Sequence, residues 1–568
     1  MAAIISEKFR IFNAKQFLES LSEASATNMY FFVGRPQKWY AYLEIYNVSG
    51  TFQVGETVTG GGLSGTVQEV HANSLLIATT NTTAAPATGS TITGGTSTAT
   101  AKASTYRFAT EDAPPAPIDN QNEKAAVYDD LIAAKRITST FARLVAPRYN
   151  WSLSTNPKFD MYRPNYSPTP GGGGAIGVQT ALGSSALSGS KYYVMNANYE
   201  VFKCLYNGQT PANPTGINAV YEPKTTPTAG QGTYANGLFV ESATGYIWKY
   251  MYTLSTSDVI AFLSSDFLPI STYAGTAVVD GAVHIALVKD GGGNMPTNGT
   301  VYVPVDGDGS GAIVKITTSG SGTISTVEMQ DVGSGYTYGN VRLVNGNIYT
   351  DTALSNAANI NASATGAVEV IMSPEGGHGS DLAAEFFAKR VMTNIRLTYA
   401  EGSGDFPVDN DFRRIGIIQD PFNFGTTTVA SASTLRGTAA LKLTGSGDYT
   451  IDEEITQTVS GGTAKGRVVS WDSTNGILKY FQSPDLHTHN GKVLAFDHAT
   501  NNVTGATSST ARPIDGNQDT ALADISFTDG KANPEIAPNS GDIVYIENRR
   551  QITRAADQIE DIKLVIEF

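Results

Sequence analysis

The end of this chain alternates between an apolar face and a mostly polar one, and such a pattern is compatible only with strands there. In the last run, Ile562, Leu564 and Ile566 fall on one face, while Lys563 falls on the other. Successive side chains of a strand point to opposite faces, so this period of two predicts a strand with one buried side. The apolar run within residues 540–550 predicts a second strand before it.

The composition extends the strand prediction to most of the chain. Charged residues make up 16% of the 568 residues, against about 25% in a typical domain, and Thr, Ser, Gly and Asn replace them. Few charges with many aromatic residues favour β-structure and polar turns over disorder. We therefore predict a mainly β fold, with β-sandwich domains, a few short helices and small inserted modules rich in Gly and Thr. The length predicts two to five domains.

Helical periodicity is found in three short segments. One helix is predicted over residues 14–24, with Asn13 as its cap, and a second over residues 122–135. A third is predicted to start after Ser255, with Asp258 in its first turn.

The single cysteine, Cys204, lies in a strand-like run at residues 201–206. One cysteine cannot form a disulfide within the chain, so stability must come from hydrophobic cores and from assembly. We expect a buried thiol that packs as a small apolar group. Another predicted strand carries an aromatic row on one face, formed by Tyr246, Trp248, Tyr250 and Tyr252.

Charge and hydropathy argue against two classes of partner. The net charge is −14, so a general surface for nucleic acid is not expected. The basic pairs at 135–136 and 413–414 are predicted to be solvated or salt-bridged surface. A signal peptide and an apolar run of 18 residues are both missing, so we expect no membrane insertion and synthesis in a cytoplasm.

Two motifs contain metal-ligating residue types but an incomplete ligand set. Residues 306–311 (DGDGSG) begin like a calcium loop, but they lack its final Glu and flanking helices, so a turn between strands is predicted. His487 and His489 share a face, with Asp485 and His498 as the nearest further candidates. We expect loop surface there, because a metal site needs three or four convergent ligands. No cofactor is predicted.

Residues 374–381 carry the residue types of a hydrolase. His378, Ser380 and Asp381 lie within four residues, however, and a catalytic triad draws its members from separate elements. We predict a structural turn or subunit contact, with Ser380 as the cap of a helix over 381–389. The nucleophile elbow, the P-loop and the zinc-protease motif are absent from the sequence, and no enzymatic activity is predicted.

Several short blocks follow one another in an informative order. They are SEKFR at 6–10, MYFFVGR at 29–35 with Trp39, APRYNW at 146–151, VFKCL at 201–205, GYIWKY at 245–250, FRRIGII at 412–418, and the two C-terminal runs. In this order they resemble the dimeric baseplate wedge protein of T4-like contractile-tailed phages. The resemblance covers residues 1–48, 106–270, 384–435 and 520–568.

The matching and non-matching stretches together predict five domains. They are core wedge domains, helix plus β-sandwich, from 1–48 with 106–270; an inserted β module at 49–105; an inserted β domain at 271–383; a C-terminal core β domain from 384–435 with 520–568; and an inserted β module at 436–519. The two modules are similar to each other: residues 52–58 and 449–455 each lead through a Gly-rich turn into a strand.

The resemblance implies a structural role. A member of this family forms a homodimer within each wedge of the tail baseplate and contacts other baseplate wedge proteins. Tail-fibre or fibre-anchoring proteins are further expected partners. It is assembled in the host cytoplasm, is found in the virion, and helps transmit host contact into sheath contraction.

The predicted interface residues are Tyr545, Glu547, Asn548 and Arg549, because Tyr and Arg at the end of an apolar strand suit a contact between subunits. An internal salt bridge that caps the sheet is the alternative role for them. The alternative function is a receptor- or glycan-binding decoration protein of a phage tail. A polysaccharide depolymerase is disfavoured, since long solenoid repeats are not seen.

Overall fold

The computed structural model describes residues 4–23, 27–80, 85–151, 157–164, 187–210, 212–272, 278–358, 360, 364–397, 411–484, 486–499, 501–551 and 560–568. The fold is mainly β with several sheets, which confirms the predicted fold class. The glycine run at 171–174, predicted to be a loop, and Asp485 lie outside the described residues.

The described helices are short. They are α1 (Glu7–Ser20), α2 (Gln121–Asp129), α3 (Thr256–Ala261) and α4 (Leu382–Glu385).

The strands are numbered in chain order. The first half comprises β1 (Met29–Gly34), β2 (Ala41–Ser49), β3 (Thr57–Gly60), β4 (Leu63–Val70), β5 (Ser74–Ala78), β6 (Thr91–Gly94), β7 (Thr100–Arg107), β8 (Leu131–Ile137), β9 (Ala142–Pro147), β10 (Tyr193–Met195), β11 (Glu200–Tyr206), β12 (Gly232–Ala235), β13 (Leu238–Glu241), β14 (Ile247–Thr253), β15 (Phe267–Pro269), β16 (Val283–Asp290), β17 (Thr300–Gly307) and β18 (Ser310–Thr318). The second half comprises β19 (Ile324–Ser334), β20 (Gly339–Val341), β21 (Ala367–Met372), β22 (Arg390–Leu397), β23 (Arg414–Gln419), β24 (Thr434–Arg436), β25 (Ala439–Lys442), β26 (Glu454–Val459), β27 (Gly462–Asp472), β28 (Ile477–Phe481), β29 (Thr488–His489), β30 (Lys492–Val493), β31 (Val503–Gly505), β32 (Ala511–Arg512), β33 (Ala521–Leu522), β34 (Ile525–Ser526), β35 (Lys531–Ala532), β36 (Asp542–Asn548) and β37 (Glu560–Glu567).

The three helix predictions met different outcomes. The third is confirmed, because Ser255 caps α3 and accepts a hydrogen bond from the backbone N–H of Asp258 at 3.1 Å. The first was wrong at both ends: α1 spans Glu7–Ser20 instead of 14–24, and Asn13 lies inside it. The side chain of Ser6 accepts from the backbone N–H of Phe9 at 3.3 Å, so Ser6 takes the capping role instead.

The second predicted helix, over 122–135, was wrong at its end. Helix α2 stops at Asp129, and the residues from Leu131 onward form β8. Strand β8 pairs antiparallel with β1, which places Ala134 opposite Phe32. Pairing with a buried neighbour therefore overrides the helical period of this apolar run.

The chain divides into two compact units. The first consists of Met1–Glu19, Ala142–Asn394 and Lys563–Phe568. It holds the sheet β10-β11-β14-β13-β12 and the sheet β15-β9-β22-β37. Cys204 is fully buried in β11, which confirms the predicted buried thiol. In the predicted aromatic row, Tyr246, just before β14, stacks on Trp248 of that strand with ring centres 5.6 Å apart.

The middle insertion has a hydrophobic core of its own within the first unit. It contains the sheet β19-β18-β17-β20 and the pair β16-β21. The buried side chains of this core all come from residues 283–372.

The second unit consists of Ser20–Phe141 and Ile395–Ile562. Its main sheet has the order β24-β8-β1-β23-β36. Strand β1 lies in the middle of this sheet, and all six of its residues are buried, as expected for a strand with a neighbour on each side.

The second unit also contains two modules with the same strand pairing. The first is a closed barrel in the order β2-β5-β4-β3-β6-β7. The second contains the order β25-β28-β27-β26-β31-β32, with β35 as a further neighbour of β25, and a bridge between Leu443 and Ile514 connects the β25 and β32 sides. The barrel begins at Ala41, before the boundary predicted at 49, because β2 is needed to close it.

A buried glutamate holds the same loop in each module. In the barrel, Glu56 accepts hydrogen bonds from the backbone N–H groups of Gln53, Thr96 and Ser97 at 2.7, 3.1 and 2.8 Å. Burial alone would raise the pKa of Glu56, but these bonds and the Ser97 hydroxyl outweigh it and lower the pKa to about 2.

The second module repeats this arrangement at Glu453. Its carboxylate accepts from the backbone N–H groups of Thr450, Thr507 and Ser508 at 2.7, 2.8 and 2.8 Å. A glycine precedes each loop, and a Cβ at Gly505 would lie only 2.5 Å from a Glu453 oxygen. The two modules therefore share a polar anchor as well as a strand order.

Candidate interaction surface

Strand β36 is the edge of the main sheet of the second unit. It pairs with β23 on one side, and the sheet order gives it no second strand among the described residues. The free edge of such a strand presents backbone N–H and C=O groups to another chain. This edge is therefore a candidate surface for a partner.

A β-bulge changes the direction of the side chains on this edge. Ile543 pairs with Ile418 and Tyr545 pairs with Ile417, so Val544 is an extra residue in β36. As a result Val544 is 52% exposed and its neighbour Tyr545 is 38% exposed. Val544 and Tyr545 are therefore two adjacent, partly exposed side chains at the point where the bulge interrupts the hydrogen bonds between β23 and β36.

Two of the four predicted interface residues contact each other on this strand. The Tyr545 hydroxyl donates a hydrogen bond to the Glu547 carboxylate at 2.8 Å. Partial burial, with Glu547 beside it, raises the pKa of Tyr545 to about 12, so the phenol stays neutral and remains a donor.

The other two predicted residues make contacts within the chain. Asn548 accepts a hydrogen bond from Arg414 Nε at 3.0 Å and donates one to the Pro115 carbonyl at 3.0 Å. The carbonyl of Arg549 accepts from the indole N–H of Trp39 at 2.9 Å. These bonds hold the end of β36 in place, and the assignment of all four residues to an interface stays a prediction.

Two buried arginines, Arg413 and Arg414, form hydrogen bonds with residues at the end of β36. The sequence analysis placed both at the surface. Arg413 and Arg414 are 3% and 4% exposed, so the prediction of solvated or salt-bridged surface was wrong about exposure, although both side chains are salt-bridged. Arg413 lies 2.8 Å from Glu111, while Arg414 lies 3.0 Å from Asp130 and 3.5 Å from Glu123. The acidic partners are about 300 residues away in sequence, so no local pattern marked these pairs.

The first unit contains a second polar cluster, buried at the turn of residues 374–381. The Lys203 ammonium donates to the Glu385 carboxylate at 2.6 Å and lies 2.9 Å from His378 Nδ1. The Tyr162 ring centre is 3.7 Å from the same ammonium. All these side chains are buried, so the ion pair is shielded from water.

The electrostatics of this cluster favour a structural role. Burial and the neighbouring Lys203 lower the pKa of His378 to about 3, so its imidazole is neutral at pH 7. Burial alone would raise the pKa of Glu385, but the Lys203 charge outweighs it and lowers that pKa to about 2. The cluster therefore contains a charged Lys203–Glu385 pair, and the Lys203 ammonium also donates to the neutral His378 imidazole.

The hydrolase-like residues of this turn are not brought together. Ser380 is exposed, and it is not the helix cap that the sequence predicted. Asp381 caps α4 by accepting from the Ala384 N–H at 3.1 Å, and it also pairs with Lys15 at 2.7 Å. The helix spans only Leu382–Glu385, not 381–389.

The candidate metal motifs fold as ordinary turns and loops. Asp306 pairs with Arg342, and Asp308 accepts from the Thr337 N–H at 2.8 Å, so this segment is the predicted turn between β17 and β18. His487 is buried and accepts from the Ser483 N–H at 2.8 Å, so surface exposure was wrong for this residue. Within the described residues, no group of three or more metal-ligating side chains converges.

Comparison with models of known protein families gives no match for this chain, and comparison with curated proteins gives none either. Of the helices that the structure describes, none is long and apolar enough to cross a membrane.

Proposed function

We propose that this chain is a non-enzymatic structural subunit of a contractile phage tail baseplate. In this role it is a wedge subunit that forms a homodimer, contacts neighbouring wedge proteins and helps convert host contact into sheath contraction. It belongs in the virion and is assembled in the host cytoplasm.

The observation that carries the proposal is the placement of the family-like blocks. Blocks 29–35, 412–418 and 540–550 are far apart in sequence, yet they supply the adjacent strands β1, β23 and β36. Blocks 201–205 and 245–250 likewise supply the paired strands β11 and β14. Blocks that resemble one family thus occupy neighbouring positions in two sheets, as expected if they form a shared scaffold.

Strand β36 gives the proposal a contact surface. Its bulge exposes Val544 and Tyr545, while Arg414 and Trp39 hold the end of the strand from inside. An exposed apolar strand edge with polar residues around it suits a contact between subunits. Because internal hydrogen bonds hold the end of the strand, such a contact keeps one geometry until the subunits rearrange.

The test is to place Val544→Lys in the virus that encodes this chain and to purify its tails. We expect the wild-type chain in contractile tails by mass spectrometry, and a strong loss of the variant from them. The matched control is Val48→Lys, which changes another exposed valine of the second unit, 43% exposed in β2. Absence of the wild-type chain from purified contractile tails would overturn the proposal.

A receptor- or glycan-binding decoration protein is the second candidate. Tyr42 and Tyr46 lie on the same face of β2 and are 39% and 42% exposed, and tyrosine rings can stack on sugars. A glycan array with the full chain, beside a Tyr42→Ala/Tyr46→Ala variant, tests this function. Binding that the variant loses would favour it over a wedge role.

A further inference from the structure

The second module contains a buried arginine whose contacts do not satisfy its donors. Arg512 of β32 is 7% exposed. Its Nη2 donates to the Gly445 carbonyl, but Nε and Nη1 are buried and have no hydrogen-bond acceptor among the described residues. No acidic side chain that the structure describes forms an ion pair with it either. Most N–H donors of this guanidinium are therefore without an acceptor.

The first module shows that the fold does not require an arginine at this position. In the barrel, Ala101 of β7 pairs with Ile92, and in the second module Arg512 pairs with Val503 in the same register. Each pair follows the loop that the buried glutamate of its module holds. Ala101 belongs to the apolar core of the barrel. A charged side chain thus occupies a position that is apolar in the other module, and a buried charge needs a partner to offset its lost hydration.

An aromatic pair surrounds this arginine. Its guanidinium lies over the Trp471 ring at 4.7 Å from the ring centre, and Trp471 packs against Tyr449 with ring centres 5.2 Å apart. The matching register of the barrel has Val70 where the second module has Trp471. An aromatic face holds a guanidinium without cancelling its charge or using its N–H donors. Arg512 is therefore positioned and still able to bind an anion.

The exposed loop at 444–448 covers the guanidinium. Its Gly445 carbonyl accepts from Arg512, and its Asp448 carboxylate accepts from the Trp471 indole N–H at 2.9 Å. That bond directs Asp448 to the indole, so this carboxylate does not serve as the counter-ion of Arg512. Because the loop is exposed along its whole length, local opening gives a ligand access to the guanidinium.

We propose that Arg512 and the loop at 444–448 form a binding site for an oxyanion, either a carboxylate or a sulfate-type group. An anion beside Nε or Nη1 supplies the acceptor that the described residues do not provide there. Hydrogen bonds from a guanidinium to such groups are among the strongest that proteins form. The site goes beyond the proposed structural role and does not depend on it. The barrel has Ala101 at the equivalent position and is not expected to bind.

The experiment is a fluorescence titration of the full chain with sodium acetate, glucuronate, sulfate and phosphate, each compared with sodium chloride at equal ionic strength. Trp471 lies against the guanidinium, so an anion bound there changes its emission. We expect a saturable change in the millimolar range with at least one of these anions. Planar carboxylates and tetrahedral anions are separate arms, so their relative affinities identify the group that the site accepts.

Variants of the arginine show whether the response comes from this site. Arg512→Ala reproduces the residue of the barrel, and Arg512→Gln keeps a polar side chain without the charge, so both should abolish the saturable change. The matched control is Lys465→Ala, which removes a cation of the same module that pairs with Glu454 at 3.7 Å. It should respond like the wild type. Circular dichroism checks that each variant is folded.

Sulfate and phosphate stabilise folded proteins in general, so the criterion is the difference between the wild type and the Arg512 variants. Equal responses of the wild type and both Arg512 variants to every anion overturn the inference. A response that Lys465→Ala also loses overturns it as well, because the effect then follows the charge of the module and not the site. Neither result bears on the baseplate role, which the purification of tails tests separately.

Discussion

A lysine that leaves water needs other groups to replace its hydration, and Lys203 has three. They are the Glu385 carboxylate, the neutral His378 ring and the face of Tyr162. Burial lowers the pKa of Lys203, while Glu385 opposes that shift and holds the proton on the amine. The cluster joins strand β11, the turn at 374–381 and helix α4, so the local fold depends on its balance of charge.

We predict that Lys203→Met destabilises this region by about 3–5 kcal/mol, because the Glu385 carboxylate is left buried without its counter-ion. The double variant Lys203→Met/Glu385→Gln should recover a large part of that loss, since both charges are then gone. Hydrogen exchange of a peptide that covers β11 measures the opening free energy directly. Equal protection in the wild type and in Lys203→Met would contradict the prediction.

The same cluster predicts loss of stability in acid. The unfolded His378 takes up a proton below about pH 6.5, whereas the folded one does so only near pH 3. Stability is therefore complete above pH 6.5 and falls as pH drops toward 3, by up to about 1.4 kcal/mol per pH unit. Burial lowers the pKa of His284 to about 4, which adds a loss in the same direction.

The measurement is the urea midpoint at pH 7, 6 and 5 for the wild type and for His378→Gln. The variant lacks the titrating imidazole, so its midpoint should change less between pH 7 and 5, whatever its absolute stability. Parallel pH profiles for the two proteins would show that His378 does not carry the effect.

At the scale of elements, local capping signals were readable from the sequence, whereas signals that depend on distant partners were not. Ser255 and Asp258 identified α3 because a cap acts within one turn. The start of α1 was missed because Phe9 and Phe12 give this helix a second apolar face, which obscures its amphipathic pattern. The burial of Arg414 had no local sign, since Asp130 reaches it only through tertiary pairing.

The two modules offer a matched test of their shared glutamate. Glu56→Gln and Glu453→Gln should each cost about 1.5–3 kcal/mol, because the amide weakens charge-assisted bonds and turns its own NH₂ toward backbone donors. Glu454→Gln is the control. It makes the same change at the next residue, whose carboxylate faces Lys465 at 3.7 Å near the surface.

Calorimetry of the full chain checks this prediction, with Glu454→Gln expected within 0.5 kcal/mol of the wild type, roughly the range of surface substitutions. If Glu453→Gln and Glu454→Gln have the same melting temperature, the flanking strands hold the loop in place and the Glu453 carboxylate does not.

At the scale of the whole molecule, the barrel lies in sequence between two paired strands of a sheet and has its own hydrophobic core. Its hydrophobic core draws only on residues 43–106. Strands β1 and β8, which flank it in sequence, pair directly with each other. The sheet therefore does not need the barrel to bring these two strands together.

We predict that the chain without residues 41–107 still folds when a short Gly-Ser linker replaces them. Tyr42 and Arg107 are paired across β2 and β7, roughly 5 Å apart, so two or three residues span the gap. Two ion pairs with the rest of the chain are lost: Arg467 with Glu69 at 3.0 Å, and Arg107 with Glu123 at 3.1 Å. Arg467 keeps Asp452 at 3.0 Å and Glu123 keeps Arg414 at 3.5 Å, so neither side chain is left without a counter-ion. Hydrogen exchange should find β1 and β8 as protected as in the full chain.

The excised barrel, expressed alone, should give a cooperative thermal transition, since domains of roughly 60 residues with one closed core can fold by themselves. Unprotected β1 and β8 in the shortened chain would instead mean that the barrel supports the sheet. If the excised barrel folds but the chain without residues 41–107 does not, the rest of the second unit depends on the barrel, whereas the barrel folds without it. The barrel would then be a scaffold of the second unit.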